Sequence, residues 1–312
     1  MSVDRQVEDL PEAGSAPLII DAEFTEVEDK GLPTLDAGDE ISTARARTPL
    51  ELPKSAATPE GRARVVTIIN QKGGVGKTTS VINIAAQLAL RGHKILVVDA
   101  DSQGNCATGL GVNKSRVKTT TRDLILNPES AVESRHATAV DGVHIIVGDR
   151  SLVGLEQEML RQLGRERRLT EALAPLLPHY DVVIIDTPAS LGLLTVNALV
   201  ASNWVLIPVQ AEFYALENMS QLMNTVSDVQ KAVNPNLRLF GITLTMVQRS
   251  KLSGTVAEQA RKHFGDRLFE TEIPRLVAIA ESPLDGAPIV IGQKPNKSNP
   301  GSVAYWELAQ EV

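Results

Sequence analysis

Cysteine is nearly absent: Cys106 is the single thiol in 312 residues. An internal disulfide framework is therefore excluded, Cys106 reads as an inert small residue, and the composition suits a reducing compartment. Aromatic side chains make up 3% of the chain, too few for a surface that holds single-stranded nucleic acid by stacking bases on rings. No apolar run approaches the roughly 18 residues needed to span a bilayer, and the amino terminus lacks the basic-then-apolar order of a signal peptide. A cytoplasmic location is expected. The histidines, at 93, 136, 144, 179 and 263, show no ligand spacing, which argues against a metal site built from imidazoles. There is no internal repeat.

What charge there is lies unevenly. Residues 1 to 44 hold 12 acids and 2 bases, residues 45 to 64 hold 5 bases and 2 acids, and residues 65 to 312 hold 24 of each. The net charge of −7 thus belongs to the amino-terminal segment. That segment is rich in Pro, Gly, Asp and Glu, and only LIIDAEF (18 to 24) clusters apolar residues. It buries too little to offset its ordering entropy, so it reads as a solvated tail, with LIIDAEF as a stretch that orders on a partner. The following ARARTPLELPKSAATPEGRAR is a basic linker suited to an anionic polymer. Residues 1–63 are read as an extension and residues 64–312 as the folded domain.

From residue 65 short β-branched runs alternate with helical stretches. The runs are VVTII (65 to 69), KILVVD (94 to 99), VHIIV (143 to 147), DVVIID (181 to 186), WVLIPV (204 to 209), LFGITLTM (239 to 246) and LFETEI (268 to 273). Helices are predicted at 77 to 91, 151 to 177, 190 to 202, 215 to 233, 253 to 264 and 302 to 311. Near-continuous apolar strands alternating with helices predict an α/β fold, a doubly wound and mostly parallel sheet with helices on both faces. Ligands of such sheets bind at the carboxyl ends of the strands. The polar motifs lie there.

The sharpest motif is NQKGGVGKTTS, residues 70 to 80, between a strand and a helix. The general phosphate loop, GxxxxGK(S/T), wants glycine where this chain has Gln71, yet Gly76-Lys77-Thr78 is intact. Gly73, Gly74 and Gly76 let the backbone, with Val75 between them, turn its amides onto phosphate oxygens at a helix start. Lys77 supplies a point charge to the β- and γ-phosphates, Thr79 follows in the first turn, and the Thr78 hydroxyl suits Mg²⁺. In VVDADSQGN, Asp99 and Asp101 fall on one side of an extended chain. Either they divide a water or metal-shell contact and a loop contact between them, or both are turn residues. In VVIIDTPAS, Asp186 ends a buried strand, where a carboxylate is costly unless it serves Mg²⁺ through water or caps the next turn.

Together these residues resemble the ParA/MinD family of deviant phosphate-loop ATPases, and ParA-type partition proteins in particular. The resemblance extends over about residues 64 to 312, through PVQAEFYALENMSQL, ITLTMVQRSKLS, HFGDRLFETEIPR and GSVAYWELAQEV. It implies ATP with Mg²⁺ and an ATP-sandwich homodimer. It also implies that Lys72 reaches across to the partner's nucleotide, that Asp101 polarises the attacking water, and that Asp186 is an indirect Mg²⁺ ligand. Pro274 and Arg275 match the segment lining the adenine. Nonspecific double-stranded DNA binding falls on Arg249, with Lys251 beside it, and a ParB-type partner stimulates hydrolysis on the nucleoid. The chain departs from the family at Ser102 and Ala189, where proline is usual, and at Ala278, where a second DNA-contacting arginine is usual. Lys251, Arg261, Lys262 and the basic linker are candidate replacements. The Ala278 change keeps open a relative that positions a protein cargo, such as a chemoreceptor cluster or microcompartment. A membrane role like that of MinD needs a terminal basic amphipathic helix, whereas this sequence stops at WELAQEV. A redox role needs cluster-binding cysteines. A small-molecule ligase or kinase of the superfamily would not need LTMVQRSKLS.

Overall fold

The computed structural model describes residues 63–212, 219–292 and 299–312. The acidic tail, LIIDAEF and all of the basic linker but its last two residues lie outside the described residues, as do residues 213–218 within PVQAEFYALENMSQL.

Eight strands form one sheet in the order β3-β4-β2-β5-β1-β6-β7-β8. They are β1 (Arg64–Ile68), β2 (Ile95–Asp99), β3 (His136–Ala137), β4 (Val143–Ile146), β5 (Val182–Asp186), β6 (Trp204–Gln210), β7 (Arg238–Val247) and β8 (Leu268–Pro274). All pairs are parallel except the short edge pair β3–β4. Every strand run read in the sequence is a strand here, and β3 is the addition. The helices are α1 (Lys77–Leu90), α2 (Asn105–Gly109), α3 (Thr121–Leu126), α4 (Leu155–Met159), α5 (Arg168–Leu173), α6 (Leu193–Val200), α7 (Met219–Ala232), α8 (Lys251–Phe264), α9 (Val277–Glu281), α10 (Ile289–Gly292) and α11 (Pro300–Glu311). None of the described helices is long and apolar enough to cross a membrane.

Period-two alternation explains why the central strands read as unbroken apolar runs. In β5, Val182 and Ile184 enter a core shared with α1 and α11, while Val183 and Ile185 enter a second core with α3, α5 and α6. Each fully buried side chain of this size contributes roughly 1.5–3 kcal/mol, so both faces must be covered. A third core joins β6 and β7 to α7 and α8.

The single helix predicted at 151 to 177 is instead broken: 3₁₀ turns flank α4 and α5, and Gly164 between them has a φ of 65°. Apolar periodicity continued across this break, but Gly154 and Gly164 do not favour one long helix. The backbone groups exposed by the break are taken by Asn197 of α6, which accepts from the Leu169 N–H at 3.0 Å and donates to the Arg165 carbonyl at 2.9 Å. At the opposite edge of the sheet, the Glu311 carboxylate at the end of α11 accepts from the Glu270 and Thr271 amides of β8, both at 2.9 Å.

Candidate functional site

The loop between β1 and α1 places Gly74 and Gly76 at φ values of 73° and 89°. Only glycine adopts such angles without strain. Its shape is held from the side: Thr245 of β7 donates its hydroxyl to the Val75 carbonyl at 2.8 Å. No described side chain caps α1, so Lys77, Thr78 and Thr79 open the helix with amides oriented toward the loop's mouth. Gly73, Gly74 and Lys72 are exposed at that mouth.

Lys77 is buried, at 7% exposure, and its Nζ donates to the Lys72 carbonyl at 3.3 Å. Burial lowers its pKa, while the charges of Asp186 and Asp101 work to keep the ammonium protonated. Thr78 Oγ1 donates to Asp186 Oδ2 at 2.6 Å, so the hydroxyl and carboxylate singled out in the sequence meet. Burial pushes Asp186 up to about 6, against the hydrogen bonds from Thr78 and Cys106 and the charge of Lys77. Its register partner across the sheet is Asp99. Asp99 accepts the Asp101 amide on one oxygen and the Cys106 amide on the other, both at 3.1 Å. Burial, and next the neighbouring Asp186 charge, hold the Asp99 pKa well above the carboxylate range. The two acids of VVDADSQGN are thereby separated: Asp99 shapes the loop, and Asp101 stands half-buried at its turn, accepting from the Gln103 amide at 3.0 Å.

Asp99, Cys106 and Asp186 form a tight buried group. Its chemistry is nevertheless poor for a cation, because burial holds the Cys106 thiol protonated and both Asp99 oxygens are bonded to amides. Asp186 Oδ1 is different. It is buried without a hydrogen-bond partner among the described residues, and with the Thr78 hydroxyl it offers the hard oxygen donors that Mg²⁺ prefers.

Several contributors escaped sequence reasoning. Cys106, read as inert, donates its thiol to Asp186 Oδ2 at 3.3 Å. Gly148 lies so close that a Cβ would meet the Asp101 and Asp99 carbonyl oxygens at 2.5 and 2.6 Å. Glu212 pairs with Lys72 at 2.6 Å. The QAE that follows the fifth apolar run, WVLIPV, was the only available signal for Glu212.

Arg249 and Lys251, at the end of β7 and the start of α8, line an open groove of about 980 Å³ together with Pro274, Glu272 and Glu307. Pro274 is thus grouped with the basic pair, and Arg275 is tied to it through its amide, which donates to the Val247 carbonyl at 3.0 Å. Ala278 is exposed on α9.

The profile of a family described as an AAA domain matches residues 63–239. The chain is 43% identical over 250 residues to the sporulation initiation inhibitor protein Soj of Bacillus subtilis, covering 80% of this chain and 98% of that protein. It is 42% identical over 252 residues to the chromosome partitioning protein ParA of Caulobacter vibrioides, covering 80% and 93%. Among solved structures, a cobyrinic acid a,c-diamide synthase from Mycobacterium smegmatis with bound ATP analogue and magnesium superposes with a TM-score of 0.69 at 33% identity, covering 79% and 93%. With the phosphate loop so built and relatives matched over almost their whole length, the chain belongs to the ParA/MinD family of phosphate-loop ATPases, among the Soj/ParA proteins.

Proposed function

We propose that this protein is a Mg²⁺-dependent partition ATPase that dimerises on ATP, binds duplex DNA without sequence preference and is stimulated by a ParB-type partner. In this reading residues 64–312 are the ATPase domain and residues 1–63 an extension, and the protein works in the cytoplasm on the nucleoid. The observation that carries it is the convergence of Lys77, Thr78, Asp101 and Asp186 from three adjacent strand ends, β1, β2 and β5.

The α1 amides and Lys77 bind the β- and γ-phosphates, the glycines admit them closely, and Pro274 with Arg275 lines the base. Thr78 and Asp186 would hold Mg²⁺, which would neutralise phosphate charge. Asp101 orients the attacking water, and the partner's second loop lysine, Lys72 in its own numbering here, meets the transferred phosphate's charge from outside. Two lysine-bearing loops repel one another until polyphosphate lies between them, so ATP binding and dimerisation are coupled. A dimer also doubles the Arg249/Lys251 contacts on one duplex. A relative named for chromosome partitioning, ParA of Caulobacter vibrioides, supports the assignment of role.

The test is sedimentation with ATP, ADP or no nucleotide, each with Mg²⁺, followed by duplex binding over a salt series. Dimers and DNA binding are expected with ATP alone. An ATP dimer that binds no duplex at low salt would overturn the DNA part of the reading and favour a protein scaffold, with Ala278 as its cause.

A further inference from the structure

Lys72, the residue the dimer reading sends across to the partner, is held at home. Its Nζ lies 2.6 Å from Glu212 Oε2. Glu212 is itself oriented by Gln210, whose Nε2 donates to its other carboxylate oxygen at 2.5 Å. The Lys72 amide donates to Asn70 Oδ1 at 2.9 Å, and the Asn70 side chain is anchored on the Pro208 carbonyl at 2.7 Å. Two contacts therefore tie the start of the phosphate loop to the end of β6, and the ion pair is the one that engages the lysine's charge.

We propose that Glu212 is a positioning residue that keeps Lys72 in its own subunit until ATP in a second copy of this chain offers a stronger anion. The inference rests on the dimer reading above. A carboxylate carries one negative charge and the ATP polyphosphate several, so the exchange runs toward the partner only when nucleotide is there. Because the same Lys72 supplies its carbonyl to Lys77 Nζ at 3.3 Å, the loop that releases Lys72 is also the loop that receives phosphate. Glu212 thus sets the protein concentration at which ATP produces dimers and suppresses pairing without it.

Exposed ion pairs of this kind contribute about twofold to fivefold each. A dimer that gives up two of them should gain about fourfold to 25-fold in association when the pairs are removed beforehand. The experiment is sedimentation equilibrium of the full chain with Mg²⁺ and a slowly hydrolysed ATP analogue, at low and at high salt. Glu212→Gln is expected to dimerise at that lower concentration, with the gain shrinking as salt screens the pair in the unaltered protein. Glu212→Asp keeps the charge but shortens the reach, and it should behave like Glu212→Gln. Gln210→Ala changes no charge, loosens Glu212 and should give a smaller gain of the same sign. A Glu212→Asp protein indistinguishable from the wild type would mean that Glu212 acts only as a distant charge, and the proposal would fail. Weaker dimerisation of Glu212→Gln would overturn it as well. A wild-type chain that stays monomeric with the analogue overturns the dimer reading itself, and the proposal with it, whereas a wild-type dimer with unaltered variants overturns the proposal alone.

Discussion

The phosphate loop and the groove beside α8 both present basic residues, in opposite physical circumstances. Lys77 is buried, hydrogen-bonded to a backbone carbonyl and faced by Asp186 and Asp101. Arg249 and Lys251 are exposed, and the groove they line contains acids, one of which, Glu272, is already paired with Arg261 at 2.6 Å. A buried cation is tolerated only where particular neighbours compensate for its lost hydration, so it cannot move by one position. Surface cations act through summed charge at short screening lengths, so neighbours substitute for one another. On the proposed DNA-binding reading, an alanine at 278 is then a smaller loss than it looks in the sequence.

The strongest expected effect lies on the buried side. Asp101→Ala should slow ATP hydrolysis by about 10² to 10⁴, the usual cost of losing a positioned proton-handling group, while ATP-dependent dimers persist. Single-turnover kinetics beside sedimentation measures both, and hydrolysis at the wild-type rate would assign the water to another group. Lys77→Ala should weaken ATP binding by about 10² to 10³, as expected when a buried charge partner is removed, whereas Lys72→Ala should leave monomeric affinity within a few-fold. Titration calorimetry would read equal losses if the two lysines were equivalent.

A stability effect comes next. Tyr305 of α11 is fully buried 3.5 Å from the Ser80 hydroxyl of α1, and burial pushes its phenol up to about 12. A raised folded-state pKa favours the protonated phenol, so this contribution is complete below about pH 10, the ordinary tyrosine value, and is lost as pH rises through about 12. The loss amounts to about 3 kcal/mol. Tyr305→Phe should flatten the decline in urea-unfolding stability over that window. An unchanged slope would assign the decline to other groups.

The smallest effect belongs to the groove. Arg249→Ala removes one phosphate contact per subunit and should flatten the log-log salt slope of DNA binding by about 2 per dimer, with ATP-driven dimerisation intact. Lys251→Ala should do nearly the same. Complete loss of duplex binding in Arg249→Ala would show that the groove is as position-dependent as the phosphate loop.

This contrast also governs how much was legible in the sequence. The strands were readable because burial on both faces demands unbroken β-branched runs, and Thr78, Lys77 and Asp186 because a polar residue at a buried strand end or helix start is rare without a ligand. The broken stretch at 151 to 177 was not, because its apolar spacing continues while Asn197, from a distant helix, supplies the hydrogen bonds that make the interruption tolerable. Glu212, marked only by the QAE it closes, and Gly148 were not legible either. The first gains meaning from a lysine 140 positions away, and the second from the closeness of two loops that only the completed sheet brings together.

The carboxylate of Glu311, seated on the amides of the last strand, has a consequence for how these molecules meet in a crowded cell. An open sheet border invites a foreign strand to add itself, and such additions grow without limit and seldom reverse. Here two amides of the edge strand, those of Glu270 and Thr271, are already occupied by Glu311. A strand that added itself at this border would have to displace one carboxylate from two amides at once.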